Sequence, residues 1–202
     1  MNSRNDCIVT EKPSDVSFDE IHQVLWEANA ANRSKGFVLN TSKYSGQKLA
    51  EKIGEDGKCF VATSNGRIVG TSSVRIVERN KWYMKGKIPD LMLAAVIPEY
   101  QGKGVLTMLV NEVLKFSTEN NFNAVELDTA EDNTHAIGVY HHLGFELVDY
   151  KKIQNTDHFS VVMVRWMADK PYNDMKRRIM YAYRRLATRS KYRLKKVVMR
   201  NN

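Results

Sequence analysis

Apolar residues recur at helical spacing in some segments of the chain and alternate with polar residues in others. Over residues 16–31 the apolar positions follow a 3.6-residue period, and Ser17 with Glu20 three residues later forms a capping box, so a first helix is predicted there. A shorter helix is predicted over residues 46–53. The stretch 35–45 between the two helices is predicted to be a loop.

Runs rich in β-branched and aromatic residues predict the strands. Residues 58–63 and 67–77 are joined by Ser64-Asn65-Gly66, which is a hairpin turn signal. Residues 6–10 are a candidate first strand. The other predicted elements are the strands 90–97, 124–129, 145–153 and 158–166 and the helices 103–120 and 134–143.

A glycine pair stands between a predicted strand and the helix over 103–120. Pro98 marks the end of the strand, and Gly102 and Gly104 precede apolar positions at helical spacing. Glycine lets the backbone come close to a ligand, and the first N–H groups of a helix have no intrahelical partner. The amides of residues 102–106 therefore predict an anion site suited to a polyphosphate. The spacing fits neither a Rossmann fingerprint nor a Walker A motif.

Length and composition bound the class of protein. A chain of 202 residues with 43% hydrophobic content can bury one sizeable core, which favours one α/β domain with an appendage. Cys7 and Cys59 do not form a disulfide framework, so a reducing compartment is expected. The polar N-terminus and the short apolar runs indicate neither secretion nor membrane insertion, and we therefore predict a cytoplasmic protein.

The glycine segment carries a family motif. Val96-x-Pro98-x-x-Gln101-x-x-Gly104-x-Leu106 resembles the acetyl-CoA-binding motif of the GNAT superfamily of acyl-CoA N-acyltransferases, usually written Arg/Gln-x-x-Gly-x-Gly/Ala. Leu106 departs from this motif, since Gly or Ala is usual at its position.

A second segment agrees with the first. Asn133-x-x-Ala136-x-x-x-Tyr140-x-x-x-Gly144-Phe145 is similar to the family's downstream motif, in which Asn touches the pantetheine arm and Tyr faces the thioester sulfur. The resemblance covers roughly residues 6–167.

The resemblance implies a fold and an activity. It implies a mixed, mostly antiparallel central sheet flanked by helices over residues 1–167, and residues 168–202 are predicted to be a basic amphipathic helical extension. It also implies N-acetyltransferase activity with acetyl-CoA as co-substrate and no metal. The residues implied to bind acetyl-CoA are Ala94, Ala95, Val96, Gln101, Gly102, Lys103, Gly104, Val105, Leu106 and Asn133.

Acetyl transfer to an amine needs a base, donors for the oxyanion and an acid for the leaving thiolate. The resemblance implies a strand bulge at about residues 93–96 that turns one N–H toward the thioester carbonyl, and it gives Tyr140 the role of acid. Asp90 stands where several family members carry a base that acts through water. Tyr140 as a core residue and Asp90 as a solvated residue at the start of a strand are the alternatives.

In this family the acceptor is contacted by the first two helices, their loop and the final hairpin. The candidate contacts in this chain are Trp26, Asn29, Arg33, Trp82 and Tyr83. An aromatic and amide set of this kind favours an amino sugar or another small-molecule amine. The alternatives are a protein amine and a non-catalytic binding module that keeps the fold.

The C-terminal segment is strongly basic. Residues 170–202 hold twelve Lys and Arg against Asp174 alone. At 100° per residue, Met175, Ile179, Tyr183 and Leu186 share one helical face and several basic residues lie opposite. This pattern leaves three interpretations open: packing of the apolar face on the body or on a sister subunit in a homodimer, contact with an anionic membrane surface, and binding of RNA or another polyanion. Because the family motifs end before this segment, deletion of residues 172–202 is expected to spare acetyl transfer.

Overall fold

The computed structural model describes residues 7–34, 44–153 and 158–200, without the side chains of residues 32–33 and 194–200. The strands of this part of the chain are β1 (Ile8–Glu11), β2 (Lys58–Ser64), β3 (Arg67–Lys81), β4 (Met84–Val96), β5 (Ala124–Ala130), β6 (Glu146–Lys152) and β7 (Phe159–Trp166). The α-helices are α1 (Phe18–Ala28), α2 (Ala30–Ser34), α3 (Gly46–Ile53), α4 (Val105–Glu119), α5 (Thr134–His142) and α6 (Asp174–Arg200).

The seven strands form a sheet in the order β1-β2-β3-β4-β5-β7-β6. The pairs β1/β2, β2/β3, β5/β7 and β6/β7 are antiparallel. The sheet and its flanking helices confirm the predicted fold class, and α6 confirms the predicted C-terminal helix. The predicted loop over residues 35–45 lies largely outside the described residues.

The chain divides into two compact units, of which the first comprises residues 1–77 and 87–122. In this unit α1 begins at the predicted capping box, because the Ser17 hydroxyl accepts from the Glu20 amide while the Glu20 carboxylate accepts from the Ser17 amide. The helix ends at Ala28, and α2 follows it where one continuous helix was predicted. A core of Ile21, Leu25, Leu49, Ile53, Cys59, Val61 and Leu93 joins α1, α3, β2 and β4.

Strands β3 and β4 are longer than the sequence pattern predicts. β3 continues to Lys81 and β4 begins at Met84, so only Trp82 and Tyr83 separate them. Half of the added residues are charged, and the added residues include Gly86 at φ 103° and Pro89, which are signals against a strand. Pairing over the sheet overrides these local preferences.

The second unit comprises residues 78–86 and 123–202. Its strand β6 is the last in the sheet order, and one side of its backbone therefore lacks a partner strand. Helix α6 covers this side: Arg177 donates to the Leu147 carbonyl at 3.2 Å, and the Thr188 hydroxyl donates to the Tyr150 carbonyl at 3.3 Å. The helix therefore satisfies polar groups of an edge strand.

Helix α6 does not pack its predicted apolar face on the body, because that face, which includes Ile179 and Leu186, is exposed. Packing of the face on a sister subunit stays a prediction. The side of α6 that meets the body carries arginines together with Tyr181 and Tyr192. Arg184 pairs with Asp149, and Arg189 with Glu131. These carboxylates lie far from α6 in the sequence. Deletion of residues 172–202 would remove the cationic partners of these carboxylates. That acetyl transfer survives the deletion stays a prediction.

Candidate functional site

The loop before α4 places two glycines in the left-handed region, Gly102 at φ 72° and Gly104 at φ 83°. Gly104 is the N-cap residue directly before α4, and it has no side chain that could accept a hydrogen bond from the first amides of the helix. Among the described residues, no backbone carbonyl accepts a hydrogen bond from the amides of residues 102–106. These N–H groups and the positive end of the helix dipole can bind an anion.

Hydrogen bonds hold this loop to the strands of the first unit. The Gln101 side chain donates to the Val96 carbonyl at 2.8 Å, and the Tyr100 hydroxyl donates to Ser64 at 3.2 Å. The Lys103 ammonium lies 4.9 Å from the centre of the Tyr100 ring. Gln101, a predicted acetyl-CoA contact, thus fixes the loop to the end of β4.

Gly70 of β3 allows α4 to approach the sheet closely, and the sequence interpretation did not single it out. A Cβ at this position would lie 3.0 Å from Leu109 Cδ1, 3.1 Å from the Ala95 carbonyl oxygen and 3.3 Å from Val105 Cγ1. A larger residue would push the start of α4 outward. The available signal was a glycine in the middle of a strand pattern, which indicates close approach of another backbone.

Leu93 of β4 has a φ of 54°, which is uncommon for a residue with a branched side chain. The distortion lies within the segment where the resemblance implies a bulge, next to Ala94 and Ala95. Strained backbone of this kind costs roughly 1–3 kcal/mol and concentrates at functional sites. Nothing in the sequence signals the left-handed conformation, since leucine rarely adopts it.

Asn133 and Tyr140 lie at the two ends of α5 in the second unit. The Asn133 side chain accepts from the Ala136 amide at 3.3 Å and so caps the helix. Tyr140 is 5% exposed and packs edge-on against Phe145, with ring centres 5.8 Å apart. Burial raises the pKa of Tyr140 to about 12, so the phenol is protonated at neutral pH, as a proton donor must be.

Asp90 of β4 is buried and bound by a guanidinium. Its Oδ2 accepts from Arg75 Nε at 2.9 Å and from Arg75 Nη2 at 2.7 Å. Asp90 is 4% exposed, so it is not the solvated residue of the alternative interpretation. The contact fixes the carboxylate on the strand that carries the Leu93 distortion.

The predicted acceptor residues near the β3–β4 turn are partly core residues. Tyr83 is fully buried, and its hydroxyl donates to Glu126 Oε2 at 2.8 Å. Arg79 donates to the other oxygen of Glu126 at 2.8 Å. The Trp82 ring packs on Tyr83, and its indole N–H has no acceptor among the described residues.

The other acceptor candidates come from the first helices. Trp26 is 44% exposed. The Asn29 amide donates to the Leu25 carbonyl at 2.8 Å, within the same helix end. The Arg33 side chain lies outside the described part of the chain.

Within the described residues, no group of three His, Cys, Asp or Glu side chains is arranged to hold a metal ion. None of the helices in the same residues is long and apolar enough to cross a membrane.

Comparison with known proteins adds to the geometry. The sequence model of the family described as "Acetyltransferase (GNAT) family" matches residues 18–145. N-acetyltransferase 8B from Homo sapiens is 34% identical over 95 residues, which are 46% of this chain and 41% of that protein. N-acetylaspartate synthetase from Homo sapiens is 32% identical over 90 residues, which are 44% of this chain and 28% of that protein. The chain thus spans less than half the length of these curated relatives.

A solved structure extends the comparison of the fold. The crystal structure of the ribosomal-protein-S18-alanine N-acetyltransferase from Escherichia coli superposes with a TM-score of 0.63 at 18% identity, over 83% of this chain and 97% of that one. The family match covers more than half of the chain and includes both sequence motifs. This chain belongs to the GNAT acetyltransferase family.

Proposed function

We propose that this protein is an acetyl-CoA-dependent N-acetyltransferase that acetylates a primary amine. The observation that carries the proposal is the loop before α4, where two left-handed glycines and the unpartnered amides of residues 102–106 form a binding site for the pyrophosphate of acetyl-CoA. Of the residues implied to bind the cofactor, Gln101 holds the loop in place. Asn133 contacts the pantetheine arm.

The reaction follows from the roles of a few residues. The unprotonated amine attacks the thioester carbonyl, a C–N bond forms, and the C–S bond then breaks to release the CoA thiolate. A backbone N–H beside the Leu93 distortion, from the segment of Ala94, Ala95 and Val96, stabilises the oxyanion. Tyr140 gives its proton to the thiolate, and Asp90 accepts the amine proton through a water molecule.

We propose a small-molecule amine, such as an amino sugar, as the acceptor. Trp26 offers an exposed aromatic face, and the buried Trp82 indole N–H has no acceptor among the described residues, which suits a polar ligand group. Tyr83 supports this region through Glu126 rather than by direct contact with the acceptor. Asn29 contributes an amide at the end of α1.

A protein amine is the second candidate. It is favoured by the likeness in fold to an enzyme whose name gives the alanine of a ribosomal protein as its target. The two candidates differ in the size of the acceptor, and one screen separates them.

The test is turnover of acetyl-CoA, followed as thiol release, with a panel of amino sugars, free amino acids and peptides with free N-termini. We expect at least one small amine to be acetylated and the peptides to react more slowly. Faster turnover of a peptide would favour the protein amine. Binding of acetyl-CoA without turnover of any amine would show a binding module instead of an enzyme.

A further inference from the structure

Helix α6 carries a row of exposed apolar side chains. Met175, Ile179, Tyr183 and Leu186 are each between 60% and 68% exposed. At 100° per residue they fall within an arc of about 80°, and the row is about 16 Å long. We name these four residues the outer stripe. Among the described residues outside α6, the exposed large apolar side chains are Ile8 at 64% and Trp26 at 44%, so the outer stripe is a concentrated feature.

The opposite face of α6 is fixed to the body, so the helix cannot turn to bury the outer stripe. Arg184 binds Asp149 at two points, and Arg189 donates to the Tyr150 hydroxyl at 2.9 Å as well as to Glu131. Rotation of the helix would leave the buried carboxylate of Asp149 unpaired, which is costly. The contacts of the basic face therefore hold the outer stripe toward solvent.

The surroundings of the outer stripe are positively charged. Lys176 and Arg178 lie on its two sides and Arg193 lies beyond its C-terminal end, and all three are exposed. Within the described residues, no carboxylate forms an ion pair with them. The one acidic residue of α6, Asp174, lies near Lys170 and Arg177. The charges around the stripe are thus complementary to an anionic surface.

We infer that α6 docks in the plane of an anionic lipid surface. The outer stripe enters the boundary between headgroups and acyl chains, and Lys176, Arg178 and Arg193 contact lipid phosphates. An apolar row bordered by basic residues is the pattern of an interfacial helix. The proposal is independent of acetyl transfer, since no residue of α6 has a role in the proposed reaction.

Two other occupants fit the surface less well. A second copy of the chain would bring its own basic side chains against the same positively charged border, and a single row of this length is small beside the roughly 800 Å² that each partner contributes to a stable interface. A nucleic acid would use the basic residues but would leave most of the outer stripe in water. An anionic bilayer uses both features.

The experiment is co-sedimentation of the full chain with vesicles of phosphatidylcholine alone and with vesicles that also contain phosphatidylserine. We expect binding to the mixed vesicles only. The variant Ile179→Ser/Leu186→Ser should weaken it at least about tenfold through lost apolar burial. Lys176→Gln/Arg178→Gln should weaken it about twentyfold, since each cation near the surface contributes roughly fivefold.

Matched controls replace the same types of side chain outside α6. Ile8→Ser removes an equally exposed apolar side chain, and Lys81→Gln/Lys85→Gln removes two exposed cations. Both control variants should bind the mixed vesicles with an affinity within twofold of that of the parent. All the changed side chains are exposed, and unchanged thermal unfolding will establish that the variants fold.

Three outcomes would overturn the proposal. The first is binding by the stripe variant equal to that of the parent, or no binding of the parent to the mixed vesicles. The second is a parent dimer in sedimentation that the stripe variant loses, which would assign the stripe to a second copy. The third is binding of a single-stranded RNA oligonucleotide that is tighter than lipid binding and insensitive to Ile179→Ser/Leu186→Ser.

Discussion

The guanidinium of Arg184 holds the buried carboxylate of Asp149 at two points, with Nε 2.8 Å from Oδ1 and Nη2 3.2 Å from Oδ2. The hydrogen bond to Asp149 raises the pKa of Arg184. Asp149 lies on the edge strand β6, beside a shift in the register with β7. A two-point contact of this kind fixes both the position and the rotation of α6.

Replacement of Arg184 should destabilise the fold. Arg184→Met leaves the Asp149 carboxylate buried without its partner, and a loss of about 1–3 kcal/mol in the free energy of unfolding is expected. Arg178→Met changes the same residue type on the exposed side of the same helix. It should lower the free energy of unfolding by less than about 0.5 kcal/mol. Denaturant unfolding measures both. Equal losses in the two variants would mean that the contact does not stabilise α6.

The capping box of α1, the glycine loop before α4 and the presence of α6 could be predicted because each depends on residues close together in the chain. Which side of α6 meets the body could not be predicted from such local patterns. Helical periodicity shows which residues share a face, but it does not show what each face contacts. The side of α6 that meets the body contacts Glu131, Asp149 and Tyr150, which are distant from α6 in the sequence. Hydrophobic patterning alone favours packing of the apolar face on the body, but that face is exposed in the fold.

Two details of the candidate site could likewise not be predicted from the local sequence. Tyr83 and Glu126 meet across more than forty residues, and this contact makes Tyr83 a core residue where the family resemblance implied an acceptor contact. The left-handed conformation of Leu93 has no local signal at all, because leucine rarely adopts it. Local patterns predict where the candidate site lies, and contacts between distant residues contribute to its geometry.

The glycine loop gives a test of cofactor binding. Gly104→Ala adds a Cβ at φ 83°, which costs roughly 1–2 kcal/mol and displaces the amides of residues 102–106. We expect a loss of at least about tenfold in acetyl-CoA affinity, measured by calorimetry. Gly54→Ala also adds a Cβ at a positive φ, 75°, in an exposed position after α3 and outside the glycine loop, and it serves as the control. If both variants bind acetyl-CoA equally well, the pyrophosphate lies elsewhere.

Asp90 can be tested as a base separately from its contact with Arg75. Asp90→Asn keeps the size of the side chain but removes its ability to accept a proton, so kcat/KM should fall by roughly 10²-fold, mainly at lower pH where the amine is protonated. Arg75→Met breaks the same contact and keeps the carboxylate. If the two variants lose equal stability and neither changes the pH profile, Asp90 has a structural role only.

The proton donor is tested by Tyr140→Phe. Loss of a general acid should lower kcat by roughly 10²-fold, while acetyl-CoA affinity stays within twofold because the ring remains. His142→Gln, an exposed change two residues further on, is the control and should leave the rate unaltered. A rate for Tyr140→Phe close to that of the parent would remove Tyr140 from the mechanism.

The burial of Tyr140 also predicts how stability depends on pH. Its pKa rises from 10 in the unfolded chain to about 12 in the fold, so the fold favours the neutral phenol. This contribution is complete below pH 10 and is lost as the pH rises toward 12. Between pH 9 and pH 11 the parent should lose about 1.3 kcal/mol more than Tyr140→Phe, at about 1.36 kcal/mol per pKa unit. Tyr172, whose pKa burial also raises to about 12, is present in both proteins and cancels from the difference. Parallel stability curves in denaturant unfolding would mean that the Tyr140 hydroxyl is hydrated in the fold.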